Sequence, residues 1–309
     1  MINFILSSSP NYALVQASML GLIKAHLDPA EYSETVSRRR ADALNFSLFI
    51  SSQPDVLMSH GAADKNYFWR RHPEQRTRLV KDVRHILVPG DWLRRRIVRS
   101  KHLPQGKNQV HNVGWPRLDA LYALQAKYRA SPKPAGARPK VLWAPTHDLR
   151  RKGKELAISQ SSYPKLLDDL PLLEKHVDLT SSLHPRNRDS KVPTLEQLIE
   201  ADVVISDFGT MVYEAWALGK PVIFPDWIVR DPIVTYMKPV VTERYIFDHN
   251  IGVHAKSIEE LIEAAHSQRE IDETTRAFLD GYIDPAYKGC SAKRIADFLR
   301  DLAASEQAA

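Results

Sequence analysis

The stretch Ala201-Asp-Val-Val-Ile-Ser-Asp-Phe-Gly-Thr-Met-Val-Tyr-Glu-Ala-Trp-Ala-Leu-Gly-Lys-Pro-Val-Ile-Phe224 constrains the fold more than any other part of the chain. A β-branched run ends at Ser206-Asp207, Gly209 permits a tight turn, Thr210–Ala217 reads as a helix, and a second apolar run covers Pro221–Phe224. Two short buried strands joined by one helix pair in parallel, because a parallel pair needs a helix-length crossover.

The same alternation runs along the chain, which predicts the α/β class. In the first part strands are expected at Ile2–Leu6, Ser47–Ile50, Val56–Ser59, Arg84–Val88 and Val110–Val113, with a helix over Tyr12–His26. The second part restarts at Val141-Leu-Trp-Ala-Pro and continues with a helix near Ser162–Leu173, a strand at Val177–Ser182 and a helix at Thr194–Glu200. Helices at Ser257–His266 and Ser291–Ala303 close it. The Pro-rich segment 131–139 reads as a linker. The expected architecture is two Rossmann-like domains, 1–130 and 140–309, with a cleft at the carboxyl ends of their strands and the last helix free to pack back on the first domain. No internal repeat is visible.

Composition enters as a set of exclusions. With 309 residues, 43% of them hydrophobic, the chain is long enough for two globular domains and has no disordered bias. No apolar run reaches the ~18–20 residues of a membrane span, and Met1–Pro10 lacks a basic stretch of the signal-peptide kind. The expected location is the cytoplasm, with its membrane face as an alternative. A single cysteine, Cys290, forms no internal bridge, and no Cys/His cluster has zinc spacing. Residues 1–135 carry 21 Lys and Arg against 10 Asp and Glu, whereas 136–309 carry 22 against 27. The two halves are of opposite sign.

The strand–turn–helix at 203–217 presents unpaired N–H groups and a positive dipole end, a cradle for a diphosphate. Ser206, Asp207, Gly209 and Thr210 line it. Glu214, one turn further along, comes within reach of a ribose. A plain βαβ unit with Asp207 as a helix cap would show the same residues. His184 and Arg186 follow another strand and supply donors for a diphosphate; Thr146 and His147 follow the strand at 141. His60 ends a strand before Gly61, where an imidazole takes a proton from a hydroxyl near neutral pH, or caps a loop. Asp-x-Asp is absent, so metal-independent transfer is expected, with helix dipole, His and Arg in place of a cation. No cofactor is expected beyond a nucleotide-diphosphate substrate.

Arginines cluster at 38–40, at Arg70-Arg71 and beyond, and at Arg94-Arg95-Arg96. Any one cluster is ordinarily a solvated face, but three in one domain favour an anionic partner: a polyphosphate-type polymer, a nucleic acid or an anionic membrane. Arg70, Arg71, Arg94, Arg95 and Arg117 are the candidate acceptor-binding residues. Arg117 binds a phosphate or braces the chain crossing.

The segment 201–224 resembles the nucleotide-binding segment of GT-B transferases, and within them the CDP-glycerol glycerophosphotransferase family of teichoic-acid synthesis. Ser59-His60-Gly61-Ala62-Ala63-Asp64-Lys65, Val113-Gly114-Trp115-Pro116-Arg117-Leu118-Asp119, Val141–His147, Leu183-His184-Pro185-Arg186 and Gly289-Cys290-Ser291-Ala-Lys-Arg294 are similar to family segments in the same order, over roughly residues 55–300. The resemblance implies a GT-B fold, His60 as catalytic base, His184 on the donor phosphates and a CDP-glycerol-like donor. The expected reaction is transfer of a glycerophosphate-like or glycosyl group to a hydroxyl of an anionic acceptor. Three alternatives stand: a glycosyltransferase acting on a nucleic-acid base hydroxyl, a nucleotide-sugar 2-epimerase, and a nucleic-acid-binding protein with a vestigial cleft.

Overall fold

The computed structural model describes residues 1–63, 66–69, 80, 82–99, 103, 109–128, 136–151, 154–155, 158–184 and 194–307. The chain forms two compact units. Unit 1 combines residues 1–120 with 280–309, and unit 2 holds 121–279. The segment 131–139 lies within the span of unit 2, and 131–135 lie outside the described residues.

Unit 1 is built on strands β1 (Ile2–Leu6), β2 (Tyr32–Val36), β3 (Leu44–Ser47), β4 (Val56–Met58), β5 (His85–Val88) and β6 (Val110–Asn112). All pair in parallel, in the order β2-β1-β3-β4-β5-β6. Its helices are α1 (Ala13–Lys24), α2 (Asn66–Trp69), α3 (Asp91–Arg99) and the first part of α4 (Pro116–Lys127). Phe4 and Phe46 meet edge-on at 5.5 Å in the core, with Leu57, Ile86 and Leu87 buried in the same sheet.

Unit 2 contains β7 (Lys140–Ala144), a short antiparallel hairpin β8 (Arg150–Arg151) and β9 (Lys154–Glu155), and then β10 (Asp178–Ser181), β11 (Val203–Ser206), β12 (Val222–Pro225) and β13 (Val253–Ala255). Its main sheet is parallel throughout, in the order β10-β7-β11-β12-β13. Its helices are α5 (Leu170–His176), α6 (Thr194–Glu200), α7 (Thr210–Ala217), α8 (Asp226–Tyr236), α9 (Thr242–Asp248), α10 (Ile258–Ser267) and α11 (Glu273–Tyr282), the last crossing into unit 1. Val141, Trp143, Val203, Ile205, Ile223 and Leu261 form its core. Helix α12 (Ser291–Gln307) returns to unit 1 and packs on α1, β1 and β3.

Both sheets therefore share one strand order. Taking the strands of each main sheet in chain order, the sequence is second-first-third-fourth-fifth, and unit 1 adds a sixth. Such a sheet reverses its winding between its first and third strands, which is where ligands bind in open α/β sheets. In unit 1 that point lies between β1 and β3, and in unit 2 between β7 and β11.

The structure departs from the sequence expectations at definite places. The strand expected at Ser47–Ile50 runs instead over Leu44–Ser47, and Ile50–Ser52 makes a helical turn. Asn45, ahead of the expected strand, lies inside β3, is 1% exposed, and is bonded to Asp55 and to the carbonyls of Arg40 and Ala43. The helix expected at Ser162–Leu173 is a turn at Lys165–Asp168 followed by α5, with Pro171 in the first turn of α5 where proline is tolerated. Strand β2 is an edge without a fully buried residue and with no apolar run to announce it. Helix α8 carries Pro232 in its interior, a residue that argues against a helix in sequence. Helices α9 and α11 and strand β13 also have no counterpart among the expected elements. Among the described residues no helix is long and apolar enough to cross a membrane.

Candidate active site

In unit 1 the loops at the carboxyl edge of β1, β3 and β4 meet. His60, two residues beyond β4, stacks on Phe49 at 5.0 Å and 22° and lies 5.4 Å from the Tyr12 ring. Tyr12 and Phe49 touch at 4.6 Å. Parallel pairing explains the meeting, since β1, β3 and β4 are consecutive neighbours and all end on one side. His60 is half-buried in this bracket. The loop after it is fixed from within unit 1: Gly61 N–H donates to Ser59 Oγ at 3.2 Å, and Tyr282 Oη donates to the Ala62 carbonyl at 2.9 Å.

The arginines expected from the sequence to bind an acceptor are placed unevenly. Arg70 and Arg71 lie outside the described residues. On α3, Arg94 pairs with Asp91 at 3.3 Å and donates from Nε to the Val110 carbonyl at 3.2 Å; Arg95 pairs with the same Asp91 at 2.8 Å. Arg117 is half-buried at the start of α4. Asp119, two residues on, accepts N–H groups from Ser291 at 3.1 Å and Ala292 at 2.7 Å at the start of α12. The Gly-Trp-Pro-Arg-Leu-Asp segment and the Gly-Cys-Ser segment are thus halves of one contact.

In unit 2 three strand-end loops converge at the reversal point. Sheet order sets β10, β7 and β11 side by side. Beyond them come His184, Thr146-His147 and Gly209-Thr210 respectively, and the His147 and His184 rings lie 5.0 Å apart. Arg186 lies outside the described residues. Gly209 has φ +107° and ψ −169°, a backbone that favours glycine, and it turns the chain into α7. Thr210, first in that helix, is half-buried.

Ser206, Asp207 and Glu214 are each 0% exposed. Ser206 Oγ donates to the Ala144 carbonyl at 2.7 Å, tying the end of β11 to the end of β7. Asp207 Oδ2 accepts the Thr146 N–H at 2.8 Å, while Oδ1 is buried without a hydrogen-bonded partner of good geometry. Burial pushes the Asp207 carboxyl up to about 6, and hydrogen bonding from Ser162, Thr146 and Ser161 tempers that rise. Glu214 lies in an unbroken run of buried α7 residues, Val212–Trp216, so that this part of the helix is enclosed on every side. Sequence reasoning passed over Tyr12, Phe49, Ser161 and Tyr282. The aromatics and Tyr282 carry no motif; the only signal for Ser161 is the serine-rich run Ser159–Ser162. Among the described residues no group of three or more His, Cys, Asp or Glu is disposed to hold a metal ion.

No family model matches the chain, and no curated protein matches it either. Solved structures do. The wall teichoic acid polymerase TagF superposes with a TM-score of 0.58 at 13% identity, covering 99% of this chain and 90% of that one. A histidine-to-asparagine variant of TagF soaked with CDPG gives 0.59 at 13% identity, over 99% and 89%. The UDP-GlcNAc 2-epimerase of Methanocaldococcus jannaschii, in complex with UDP-GlcNAc and UDP, gives 0.53 at 15% identity, over 96% and 99%. Two parallel α/β units of Rossmann type and these neighbours together show that the chain has the GT-B fold.

Proposed function

We propose that the chain is a GT-B transferase that takes a glycerophosphate-like or glycosyl group from a nucleotide-diphosphate donor to a hydroxyl of an anionic acceptor. The observation that carries this reading is that the Thr146, His147 and Thr210 loops flank the winding reversal of the unit 2 sheet, while His60, on the loop after β4, lies against Tyr12 and Phe49 from the two strand-end loops that flank the reversal in unit 1. In unit 2 the diphosphate would rest on the amino end of α7, with Thr146, His147, His184 and Arg186 as donors and with Ser206, Asp207 and Glu214 supporting from below. In unit 1 neutral His60 would take the acceptor's hydroxyl proton as its oxygen attacks. With a glycerophosphate donor the oxygen attacks phosphorus, the P–O–P bond breaks and CMP leaves. With a sugar donor it attacks the anomeric carbon and the nucleoside diphosphate leaves. Positive groups take the place of a metal in neutralising the leaving group, and Arg70, Arg71, Arg94, Arg95 and Arg117 serve the acceptor.

Thermal unfolding with CDP, UDP, GDP and ADP tests the donor site. A nucleotide at 100 times its Kd stabilises by ~2.7 kcal/mol, and no stabilisation by any of the four would sink the reading. His60→Ala is expected to abolish turnover while nucleotide binding persists; normal turnover in that variant refutes the base. The epimerase neighbour, which this chain matches over 96% of its own length and 99% of the other, favours a second reading in which the chain acts on the nucleotide sugar alone. Consumption of a nucleotide sugar with no acceptor present would select it.

A further inference from the structure

Thr146 is held by both polar atoms of its backbone. Its N–H donates to Asp207 Oδ2 at 2.8 Å, and its carbonyl accepts from Ser161 Oγ at 2.7 Å. Both holding side chains are 0% exposed. The segment that supplies Ser161 is itself wired by hydroxyls. Ser161 Oγ accepts the Tyr163 N–H at 3.1 Å, Ser162 Oγ accepts Trp143 Nε1–H at 3.0 Å, and Ser159 Oγ accepts the Leu149 N–H at 3.3 Å. The loop beyond β7 is therefore pinned at residue 146 and again at 149, with His147 and Asp148 between the pins.

Strand-end loops ordinarily leave such backbone groups to water. Burying a carboxylate and three hydroxyls is costly unless each is bonded. Here Asp207, Ser161 and Ser159 bond to the backbone of one short loop and set its position, while Ser162 holds the Trp143 side chain in β7. That loop carries Thr146 and His147, two of the four side chains that the converging strand-end loops of unit 2 supply. A loop ordered before the ligand arrives loses less conformational entropy on binding.

We propose that Asp207 and Ser161 are positioning residues, a two-point clamp that fixes Thr146 and His147 in the pose that receives a nucleotide diphosphate. The clamp rests on the donor reading above. It places Asp207 behind the ligand, acting through Thr146, and it brings in Ser161, which belongs to no motif.

Three variants and a rescue test it. Asp207→Ala and Ser161→Ala each release one backbone group of Thr146. Asp207→Asn keeps an acceptor oxygen for the Thr146 N–H, and Ser161→Thr keeps the hydroxyl. Calorimetric titration with CDP and UDP is expected to show about tenfold weaker binding in the two alanine variants, the order of one lost hydrogen bond, with near-native binding in the other two. In spectra of ring-labelled histidine, the His147 resonance, assigned with His147→Gln, should shift or broaden in the alanine variants alone. The His249 resonance, whose ring stacks on Tyr245 at 3.7 Å, should stay fixed and so report an intact unit. Unmoved His147 resonances with native affinity in both alanine variants overturn the clamp. A displaced His147 with unchanged affinity overturns it equally, because the pose would then not matter to the nucleotide. If Asp207→Ala does not fold, Ser161→Ala and its threonine rescue decide alone. Failure of the unmodified protein to bind either nucleotide overturns the donor reading beneath the clamp, whereas unchanged binding in the variants overturns the clamp by itself.

Discussion

At the scale of single residues, Asp207 joins sequence to chemistry. Its place before a Gly-Thr helix start marked it as part of a phosphate cradle or as a helix cap. In the structure its bonded oxygen meets the Thr146 N–H instead, on the neighbouring strand's loop. Burial that lifts its pKa from 3.8 to about 6 has a consequence for stability. Between those values the folded chain holds a proton that the unfolded chain has lost, so this group's contribution falls as pH rises through the window and is flat above it. Asp207→Asn is expected to remove that decline. Urea unfolding of both proteins from pH ~4 to ~7 checks it, and parallel pH profiles would refute it. His60 shows the other limit of a residue reading. Its position at a strand end was legible, but Phe49 and Tyr12, which flank its ring, come from other strand-end loops.

At the scale of elements, the contact between the start of α4 and the start of α12 explains two motifs at once. Asp119 supplies a carboxylate to the first two N–H groups of α12, where orphan donors and the helix dipole both favour an anion. Burial outweighs these donors and raises the Asp119 pKa above its usual value. Gly114 lets the two segments approach. Its φ is +76°, and a Cβ there would lie 2.2 Å from Ser291 Oγ and 2.8 Å from Tyr287 Cβ. Asp119→Ala is expected to lower stability by about 1–2 kcal/mol, the usual loss of a capping side chain, and Gly114→Ala by more, since strain and overlap add. Denaturant midpoints measure both. Equal stability of Asp119→Ala and the native chain would refute the cap.

At the scale of the whole molecule, each unit is a parallel sheet with one strand order, yet unit 1 is completed only by the chain's end. Arg300 of α12 pairs with Glu31 at 2.6 Å and donates to the His26 carbonyl at 2.8 Å; Arg84 pairs with Glu306 at 2.6 Å. Ile295, Ala296 and Leu299 are 0% exposed on the same helix. A chain ending at Leu279 is expected to lose protection of unit 1 amides while unit 2 keeps its own. Hydrogen exchange reads both, and retained unit 1 protection would refute the dependence. Drawn by units, the charge division narrows: unit 1 stays basic and unit 2 is near neutral. Unit 1 carries 22 Lys and Arg against 15 Asp and Glu, and unit 2 carries 21 against 22. The excess of +7 sits with His60, although Arg94 and Arg95 give part of their charge to Asp91.

The sequence by itself determined the α/β class, the parallel sheets, the β11–α7 turn and the strand-end placing of His60 and His184. These follow from local periodicity, from glycine at a turn and from the length of a crossover, all of which are written within a few neighbouring residues. Only the tertiary structure decided that β2 forms an edge, that Asn45 lies inside a strand, that Ser161 and Asp207 share Thr146, and that residues 280–309 belong with unit 1. Each of these depends on partners distant along the chain, whose hydrogen bonds and buried faces leave no local pattern to read.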